Sequence, residues 1–314
     1  MTLLETRALS KTYPGAHGAT VQAVSEVSLT LDAGEVLGIV GESGCGKSTL
    51  GRSILRLAEP TGGQILFRGK DITRATKNEM KALRRDMQII FQDPFGALNP
   101  RHKVGHILAE PLIVQRVGDS ASRSARVAEL LDLVGLPPDA AALYPHEFSG
   151  GQRQRIAIAR ALSLDPALIV ADEAVSALDV SIQSQIINLI ASLRRRLGLA
   201  ILFISHDLSV IRHVSDRIAV MYLGRIVEMG PTEAIMSAPQ HPYTKALLSS
   251  IPKLGVDHHS RIVLQGEVPD PAHPPAGCAF HSRCTQAMDI CKQARPPLVH
   301  HDGAPQEVAC HLYP

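Results

Sequence analysis

The chain has 314 residues, of which 45% are hydrophobic and 20% are charged, and 32 basic residues oppose 30 acidic ones. This composition is typical of a folded globular protein and excludes a disordered chain, and the net charge of +2 gives no field for binding nucleic acid. The longest apolar runs, such as residues 199–204, are far shorter than the roughly 20 residues of a membrane-spanning helix, so we expect no membrane crossing.

The beginning of the chain predicts paired strands. Residues 1–10 include Glu5 and Arg7 and lack the basic and then apolar pattern of a secretory signal, so we expect the chain to stay in the cytoplasm. Two apolar runs between residues 27 and 40 are separated by D-A-G-E, a sequence typical of a turn between strands. The second run, residues 36–40, predicts a buried strand.

A glycine-rich loop follows this strand, and the residues after it have helical spacing. Residues 41–48 match G-x-x-x-x-G-K-[ST], and in this setting backbone N–H groups and the positive end of the helix bind phosphate oxygens. Lys47 is predicted to hold the β and γ phosphates of ATP, Ser48 to bind Mg²⁺, and Thr49 to reach the α phosphate. The predicted nucleotide-binding residues of the loop are Gly41, Ser43, Gly44, Cys45, Gly46, Lys47, Ser48 and Thr49.

The middle of the chain is mainly helical, and the strand pattern then returns. Residues 101–165 have mostly helical patterning, with amphipathic stretches at residues 127–134 and 153–162, and predict a helical subdomain. Buried-strand patterns follow at residues 167–171 and 200–205, and a helical stretch lies between them. This alternation predicts a parallel sheet flanked by helices.

The first of the later strands ends in two carboxylates, Asp172 and Glu173. A buried strand holds the groups at its end in place, so this pair has the form of a second motif for Mg²⁺ and phosphate. Asp172 is predicted to face the metal, and Glu173 is predicted to polarise the attacking water as general base. The alternative is a pair of solvated acids at a strand end.

Residues 148–155, with the sequence F-S-G-G-Q-R-Q-R, open a helical segment. S-G-G-Q at a helix start resembles the signature of the ABC ATPase family, and the resemblance covers about residues 5–235. It implies an α/β P-loop NTPase fold of the ABC type, with a parallel-sheet core, an N-terminal antiparallel β subdomain and an inserted helical subdomain at about residues 93–162. In this family the signature meets the γ phosphate bound by a second subunit. Its residues here are Ser149, Gly150, Gly151 and Gln152.

The same resemblance implies further site residues. Tyr13 resembles the aromatic residue that stacks on adenine, and Gln92 resembles the glutamine that senses Mg²⁺ and the γ phosphate. Asp179, in S-A-L-D, resembles the D-loop aspartate, and His206 resembles the switch histidine. The implied catalytic residues are Glu173, His206 and Gln92, and the implied Mg²⁺ ligands are Ser48, Gln92 and Asp172.

Two positions depart from the family pattern. Phe148 stands where Leu is commoner, and Ala174 stands where Pro commonly follows the catalytic Glu. We expect neither departure to abolish activity. A regulatory partner that binds ATP without hydrolysing it is an alternative, but the presence of Glu173, Gln92 and His206 argues against it.

Two further segments resemble one branch of the family, the oligopeptide and dipeptide importers. Residues 93–101 are similar to the D-P-x-x-x-L-N-P-R segment beside that branch's permease contact, where Leu98 and Arg101 are the candidates here. Residues 241–248 are similar to its H-P-Y-T-x-x-L motif. The alternative for each segment is a turn before a helix start. Because the composition shifts toward Pro, His and Cys, we predict an ATPase domain at residues 1–235 and an extension at residues 236–314.

Membership of this branch implies a set of partners and a location. The partners would be two membrane permease subunits, a second ABC ATPase subunit that is either a related chain or a second copy, and an extracytoplasmic solute-binding protein, with no nucleic acid. The chain would be a peripheral protein on the cytoplasmic face of the inner membrane. Import of a nickel chelate or glutathione, and a soluble ABC ATPase without permeases, are the alternatives to peptide import.

Four of the five cysteines lie near the C-terminus, at Cys278, Cys284, Cys291 and Cys310. A cytosolic chain rarely keeps disulfides, so thiolate ligation of a metal is the favoured interpretation. The spacing C-x5-C-x6-C-x18-C lacks the short pairs of structural zinc sites and differs from common ferredoxin patterns, so spacing alone does not select the metal. The segment is similar to the C-terminal element of peptide-importer ATPases, some of which hold a [4Fe–4S] cluster. That resemblance implies a cluster, with Zn²⁺ or free thiols as alternatives.

Two further points concern possible ligands and thiols. Five histidines in the same segment are alternative ligands or, in the favoured interpretation, solvated surface residues: His273, His281, His300, His301 and His311. For Cys45, the alternatives are a small side chain tolerated beneath the nucleotide and a redox-sensitive thiol at a helix N-terminus.

Overall fold

The computed structural model describes residues 1–15, 18–251, 262–301 and 303–313, apart from the side chain of residue 95. The chain divides into two compact units. Unit 1 consists of Met1, residues 32–35 and residues 74–204, and unit 2 consists of residues 2–31, residues 36–73 and the described residues from 205 onward. The phosphate loop and the extension therefore belong to unit 2, and the signature and the paired carboxylates belong to unit 1.

The described residues of unit 2 form nine strands: β1 (Thr2–Pro14), β2 (Thr20–Asp32), β3 (Val36–Val40), β4 (Gly62–Phe67), β5 (Lys70–Asp71), β9 (Arg217–Tyr222), β10 (Arg225–Pro231), β11 (Val299–His300) and β12 (Glu307–Val308). Four of them form a sheet in the order β2-β1-β4-β5, in which β4 pairs antiparallel with β1 and β5. From Val24 the side chains of β2 mostly alternate between buried and exposed, as expected for a strand with one face on a core. This sheet is the predicted N-terminal antiparallel subdomain.

The other five strands of unit 2 lie in the order β11-β12-β10-β9-β3. β3 is completely buried and pairs parallel with β9, which pairs antiparallel with β10. β12, from the extension, pairs antiparallel with β10, so the end of the chain continues this sheet. The helices of unit 2 are α1 (Lys47–Ile54), α8 (Leu208–Val214), α9 (Thr232–Ser237), α10 (Pro242–Ser249) and α11 (Asp289–Gln293).

Unit 1 contains three parallel strands and most of the longer helices. The strands lie in the order β8-β7-β6 and are β6 (Met87–Ile90), β7 (Leu168–Asp172) and β8 (Ala200–Ser205). The helices are α2 (Lys77–Leu83), α3 (Pro94–Ala97), α4 (Val104–Val114), α5 (Ser120–Leu133), α6 (Gly150–Ala161) and α7 (Val180–Leu197). All residues of β7 and β8 are buried, which explains their uninterrupted apolar sequences.

The predicted α/β class with parallel strands and an inserted helical segment is confirmed. The predicted strand at residues 36–40 coincides with β3, and α4, α5 and α6 fall within the predicted helical subdomain. None of the helices in the described parts of the chain combines the length and the apolar character needed to cross a membrane. The boundary at residue 235 stays a prediction.

Candidate active site

The phosphate loop connects β3 to α1 in unit 2. Gly46 has φ of 104°, and a Cβ there would lie 1.9 Å from the carbonyl oxygen of Ala23. A Cβ on Gly41 would lie 2.1 Å from the carbonyl oxygen of Met221. Both positions therefore require glycine. Gly46 is also the N-cap of α1, and since it has no side chain, the first turn of the helix receives no hydrogen bond from an N-cap side chain.

The side chain of Lys47 lies inside this loop. Only 4% of the residue is exposed, and Nζ donates hydrogen bonds to the carbonyl oxygens of Gly41, at 2.8 Å, and Glu42, at 2.9 Å. The ammonium group is thus held inside the loop by two backbone carbonyl oxygens. Binding of a triphosphate would exchange these neutral acceptors for charged ones, which make stronger hydrogen bonds.

Cys45 lies in the same loop, with its Sγ 3.9 Å from Lys47 Nζ. The residue is buried, and burial raises the pKa of its thiol. A buried, protonated thiol is a poor nucleophile and a poor target for oxidants. The structure therefore favours the interpretation of Cys45 as a small side chain beneath the nucleotide over a redox sensor.

Two other predicted residues of unit 2 are exposed. Tyr13 lies at the end of β1 with 37% of its surface exposed, and Lys11 Nζ is 4.7 Å from the centre of its ring. His206 follows β8 and precedes Asp207, whose Oδ1 caps α8 by accepting a hydrogen bond from Ser209 N at 2.8 Å. Both side chains are accessible to a ligand.

The paired carboxylates of unit 1 lie at the end of β7. Asp172 is the last residue of the strand and is 2% exposed, while Glu173 is half-buried. Glu173 has φ of 48°, in the left-handed region that residues other than glycine seldom adopt. Its backbone N–H donates to the carbonyl oxygen of Ile204. Strained backbone of this kind is concentrated at functional sites, where the surrounding structure holds it in place.

The structure brings Gln92 and Glu173 together. Gln92 Nε2 donates to Glu173 Oε2 at 2.9 Å and also lies 3.4 Å from Ser176 Oγ. Ser176 Oγ in turn donates to the carbonyl oxygen of Glu173 at 3.0 Å. Ser176 was not among the predicted site residues, although it begins the S-A-L-D motif. The S-A-L-D motif, which begins three residues after the predicted base, is the sequence feature that could have identified Ser176.

The signature residues form the N-terminus of α6. Ser149 is the N-cap, its Oγ accepts a hydrogen bond from Gln152 N at 3.3 Å, and Gln152 Oε1 accepts one from Ser149 N at 2.9 Å. This capping box explains why a helix starts at Gly150. A Cβ on Gly151 would lie 2.4 Å from Cγ2 of Ile182, so the helix packs closely on α7 at this glycine.

Asp179 is the N-cap of α7. Its Oδ1 accepts hydrogen bonds from Ile182 N at 3.0 Å and from Ser181 Oγ at 2.9 Å. The hydrogen bond from Ile182 N is the main cause of a lowered pKa for this carboxyl group, followed by that from Ser181. The side chain is therefore an exposed, ionised carboxylate beside the signature helix.

Unit 1 also has a groove of about 370 Å³. β6, α3, α4 and α6 contribute its walls, which include Phe91, Leu98 and Val114. Phe91 and Val114 are exposed at 36% and 56%, whereas Leu98 is only 2% exposed. Arg160 lies in the same groove and donates to the carbonyl oxygen of Ala97 at 2.7 Å. The predicted contact segment at residues 93–101 thus forms part of an open, largely apolar groove.

The four cysteines of the extension influence one another. Burial raises the pKa of the Cys278 thiol to about 11, with smaller contributions from Cys291, Cys310 and Cys284. Burial also raises the pKa of Cys284 and of Cys310, and each is raised further by Cys291. The N–H of Cys278 donates to the carbonyl oxygen of Cys291 at 2.8 Å. The four thiols therefore lie in one region of unit 2.

The described residues contain no group of three or more His, Cys, Asp or Glu side chains that could hold a metal ion. Zinc forms bonds of about 2.3 Å to sulfur and so needs its four thiolates within about 4 Å of one another. A four-iron cluster binds each thiolate through a different iron, so its ligands lie farther apart. The described residues thus include no formed site for either group.

The five candidate histidines of the extension contact other residues. Among them, His273 pairs with Asp270, His281 Nδ1 lies 2.8 Å from the carbonyl oxygen of Cys278, and His311 Nε2 lies 2.9 Å from that of Ala294. The ring of His301 packs on Tyr313, and His300 lies beside Glu307. Nε2 of His301, in contrast, is buried without a hydrogen-bond partner among the described residues.

Comparison with known proteins finds two family matches. Residues 24–176 match the family described as ABC transporter, and residues 227–291 match the family described as oligopeptide/dipeptide transporter, C-terminal region. The chain is 53% identical to the oligopeptide transport ATP-binding protein AppF of Bacillus subtilis, over 99% of this chain and 98% of that protein. It is also 53% identical to a putative peptide import ATP-binding protein of Brucella ovis, over 94% of this chain and 93% of that protein.

Solved structures show the same relationship. A dimeric ATP-binding cassette in a post-hydrolysis state, bound to ADP and Pi, matches with a TM-score of 0.67 and 30% identity. The match covers 73% of this chain and 99% of that one. A cassette from Clostridium perfringens, described as part of the ABC transporter complex cbiONQ, matches with a TM-score of 0.67 and 27% identity, over 76% of this chain and 91% of that one.

Proposed function

The chain belongs to the ABC transporter ATPases that carry the oligopeptide/dipeptide transporter C-terminal region, and from this premise we propose that it drives the import of di- or oligopeptides. As a member of this family it binds ATP with Mg²⁺ and hydrolyses it to ADP and phosphate. The observation that best supports hydrolysis is the hydrogen bond from Gln92 to Glu173 at the end of β7. The C-terminal match supports peptides over nickel chelates or glutathione, and over a soluble ABC ATPase.

Each predicted residue has a proposed role in hydrolysis. Lys47 and the N-terminus of α1 bind the phosphates, and Ser48, Gln92 and Asp172 hold Mg²⁺. Glu173 takes a proton from the attacking water as the oxygen bonds to the γ phosphorus, while the bond to the leaving β-phosphate oxygen breaks. His206 contacts the γ phosphate, and Tyr13 stacks on adenine. The Ser176 hydroxyl group holds Gln92 and the backbone of Glu173 in place.

The ATPase acts as a dimer with a second ATPase subunit, either another copy or a related chain. We propose that the signature residues at the N-terminus of α6 contact the γ phosphate bound by the partner, and that Asp179 lies near that contact. ATP then bridges the two subunits, and hydrolysis removes the bridging charge so that they separate. In the isolated chain, Ser149 and Gln152 hydrogen-bond to each other in a capping box, and these bonds keep the signature ordered until ATP binds.

Permease subunits are the partners that convert this motion into transport. We propose that the groove beside residues 93–101 receives a segment of a permease, because it is open and carries exposed apolar side chains at Phe91 and Val114. The chain would then lie on the cytoplasmic face of the inner membrane as a peripheral subunit. An extracytoplasmic solute-binding protein would deliver the peptide on the other side.

Reconstitution tests this function directly. The chain, its partner ATPase and the two permeases would be placed in liposomes that contain ATP, with the solute-binding protein outside. Peptides are expected to enter the liposomes and to stimulate ATP hydrolysis, because transport and hydrolysis are coupled. Uptake of a nickel chelate or glutathione without uptake of peptides would contradict the proposal, as would hydrolysis that no solute stimulates.

For the extension, we propose that Cys278, Cys284, Cys291 and Cys310 hold a [4Fe–4S] cluster, with Zn²⁺ as the alternative. The hydrogen bond from Cys278 N to the carbonyl oxygen of Cys291 and the mutual electrostatic effects of the thiols support a shared site. Their raised pKa values mean that metal binding must displace protons to form thiolates. When bound, the cluster would tie together three separate parts of the extension, and it would supply a structural or redox-sensing group outside the ATPase chemistry.

Anaerobic purification tests the cluster. The protein is expected to be brown, with a broad visible absorption band and about four irons per chain. Cys284→Ser should bleach the colour, while Cys45→Ser, which changes the cysteine outside the extension, should leave the iron content intact. Stoichiometric zinc in a colourless protein would reject the cluster but keep a metal site, and four freely titrating thiols without metal would reject both.

A further inference from the structure

The phosphate loop is joined to the extension by an ion pair. Arg283 donates to Glu42 through both terminal nitrogens, at 2.7 Å to Oε2 and 3.1 Å to Oε1. The Arg283 side chain is 7% exposed and that of Glu42 is 27% exposed. This hydrogen bonding is the main cause of a pKa for the Arg283 guanidinium group that is raised above its usual value. Two parallel hydrogen bonds to one carboxylate fix its position and orientation.

A second contact from the extension reaches the same loop residue. The backbone N–H of Glu42 donates to the hydroxyl oxygen of Tyr243 at 2.9 Å. Tyr243 lies in α10 and is completely buried, and burial raises the pKa of its hydroxyl group, so it stays neutral. Glu42 is therefore held at both its backbone and its side chain.

An aromatic cluster supports both contacts. The ring of Tyr243 lies 4.8 Å from that of Tyr222 and 5.4 Å from that of Phe280, measured between ring centres. Phe280 is 2% exposed and directly precedes the 3₁₀ turn at His281–Arg283. The packing of its ring therefore positions the turn that carries Arg283. Aromatic packing of this kind fixes side chains with little freedom to move.

The position of Glu42 affects the phosphate loop because Glu42 also contacts Lys47. The Glu42 carbonyl oxygen accepts a hydrogen bond from Lys47 Nζ at 2.9 Å. A carboxylate in a loop that binds a triphosphate would repel it, and Arg283 compensates that charge. Pairing with Arg283 thus serves two purposes: it holds the backbone at Glu42, and it offsets a negative charge next to the phosphates.

We propose that Arg283 and Tyr243 are positioning residues for ATP, through which the C-terminal extension holds the phosphate loop in its binding conformation at Glu42. This inference rests on the proposed assignment of residues 41–48 as the phosphate loop. Neither residue contacts the reacting atoms, so their effect falls on nucleotide affinity and leaves the chemical step nearly unchanged. The sequence motifs did not indicate this role, because Glu42 occupies a variable position of the loop pattern.

The test compares ATP affinity in variants of the full chain, with N-methylanthraniloyl-ATP as the fluorescent probe. Arg283→Ala is expected to raise the Kd by about tenfold or more, because a charge-assisted hydrogen bond contributes at least that factor. Tyr243→Phe keeps the buried ring and should raise the Kd by a smaller factor. The matched control is Arg295→Ala, because Arg295 is also an arginine of the extension but pairs with Glu26, at 2.9 Å, away from the loop. Its Kd should equal that of the unmodified chain.

A double-mutant cycle separates positioning from a general structural role. In a Glu42→Gln background, Arg283→Ala should change the Kd by less than about twofold, because its partner charge is already gone. In the assembled transporter, Arg283→Ala should raise the KM for ATP while kcat stays within about twofold. Equal effects of Arg283→Ala with and without Glu42, a loss confined to kcat, or an unchanged Kd for both Arg283→Ala and Tyr243→Phe would each overturn the inference.

Lys47→Ala distinguishes a failure of this inference from a failure of the assigned loop. If Lys47→Ala abolishes binding of the nucleotide but Arg283→Ala and Tyr243→Phe do not weaken it, the loop is assigned correctly and the role of the extension is wrong. If Lys47→Ala binds the nucleotide as well as the unmodified chain, the loop assignment itself fails.

Discussion

Replacing Glu173 by Gln is expected to lower ATP turnover by on the order of 10²- to 10⁴-fold, the range that general-base catalysis contributes, while ATP binding is retained. The amide has nearly the same shape as the carboxylate and its oxygen can still accept the hydrogen bond that Gln92 donates to this side chain. It cannot take a proton from water. Dimers with bound ATP should therefore accumulate, because the bridging γ phosphate is no longer removed.

The measurement is phosphate release by the complete transporter, together with size-exclusion chromatography of the ATPase subunits in the presence of ATP. Glu233→Gln is a suitable control, since Glu233 is an exposed glutamate in the first turn of α9 and the same chemical change is made there. Near-normal turnover in Glu173→Gln would remove Glu173 from the role of base. Loss of ATP binding in that variant would instead indicate a structural role for the carboxylate.

Replacing Val114 by Glu is expected to weaken permease association by about tenfold to a hundredfold, the range of a central interface residue, and to reduce transport in parallel. Val114 is 56% exposed and lines the groove of unit 1, so a permease segment seated there would have to bury the new charge without a partner. Leu98, which the sequence indicated as a contact, is a poorer choice for this test. It is 2% exposed, so its substitution would disturb the packing of unit 1 itself.

Co-purification with the permeases and uptake in liposomes provide the two measurements. Leu197→Glu is the matched control, because Leu197 is an exposed apolar residue of unit 1, at 42%, at the end of α7 and not in the groove. Nucleotide affinity should be the same in both variants. Full assembly and full transport with Val114→Glu would mean that the permeases bind elsewhere.

Several local features of the fold could be predicted, and the errors lie mostly at element ends. β3 was predicted to its exact residues, because an apolar run between a turn and a glycine-rich loop has sharp boundaries. α6 begins at Gly150, at the S-G-G-Q motif where a helix start was predicted, because the capping box of Ser149 and Gln152 starts the helix. β2 begins at Thr20, before the predicted apolar run, because pairing in the antiparallel sheet extends the strand through polar residues.

The sequence by itself determined the motifs whose chemistry lies within a few consecutive residues. Residues 41–48 match the phosphate-loop pattern, and Gly41 and Gly46 permit a backbone there that other residues would block. Asp172 and Glu173 lie at a strand end because the buried run before them forms β7. Such features depend on local backbone conformation and on hydrophobic pattern, and a short run of adjacent residues determines both.

Only the tertiary structure decided which distant side chains meet. Gln92 and Glu173 are 81 residues apart and come together because β6 and β7 pair in parallel, which brings their ends to one edge of the sheet. Glu42 and Arg283 are 241 residues apart, and their ion pair depends on the packing of Phe280 against Tyr222 and Tyr243. No local pattern encodes such contacts, because they result from strand register and side-chain packing across the whole of a folded unit.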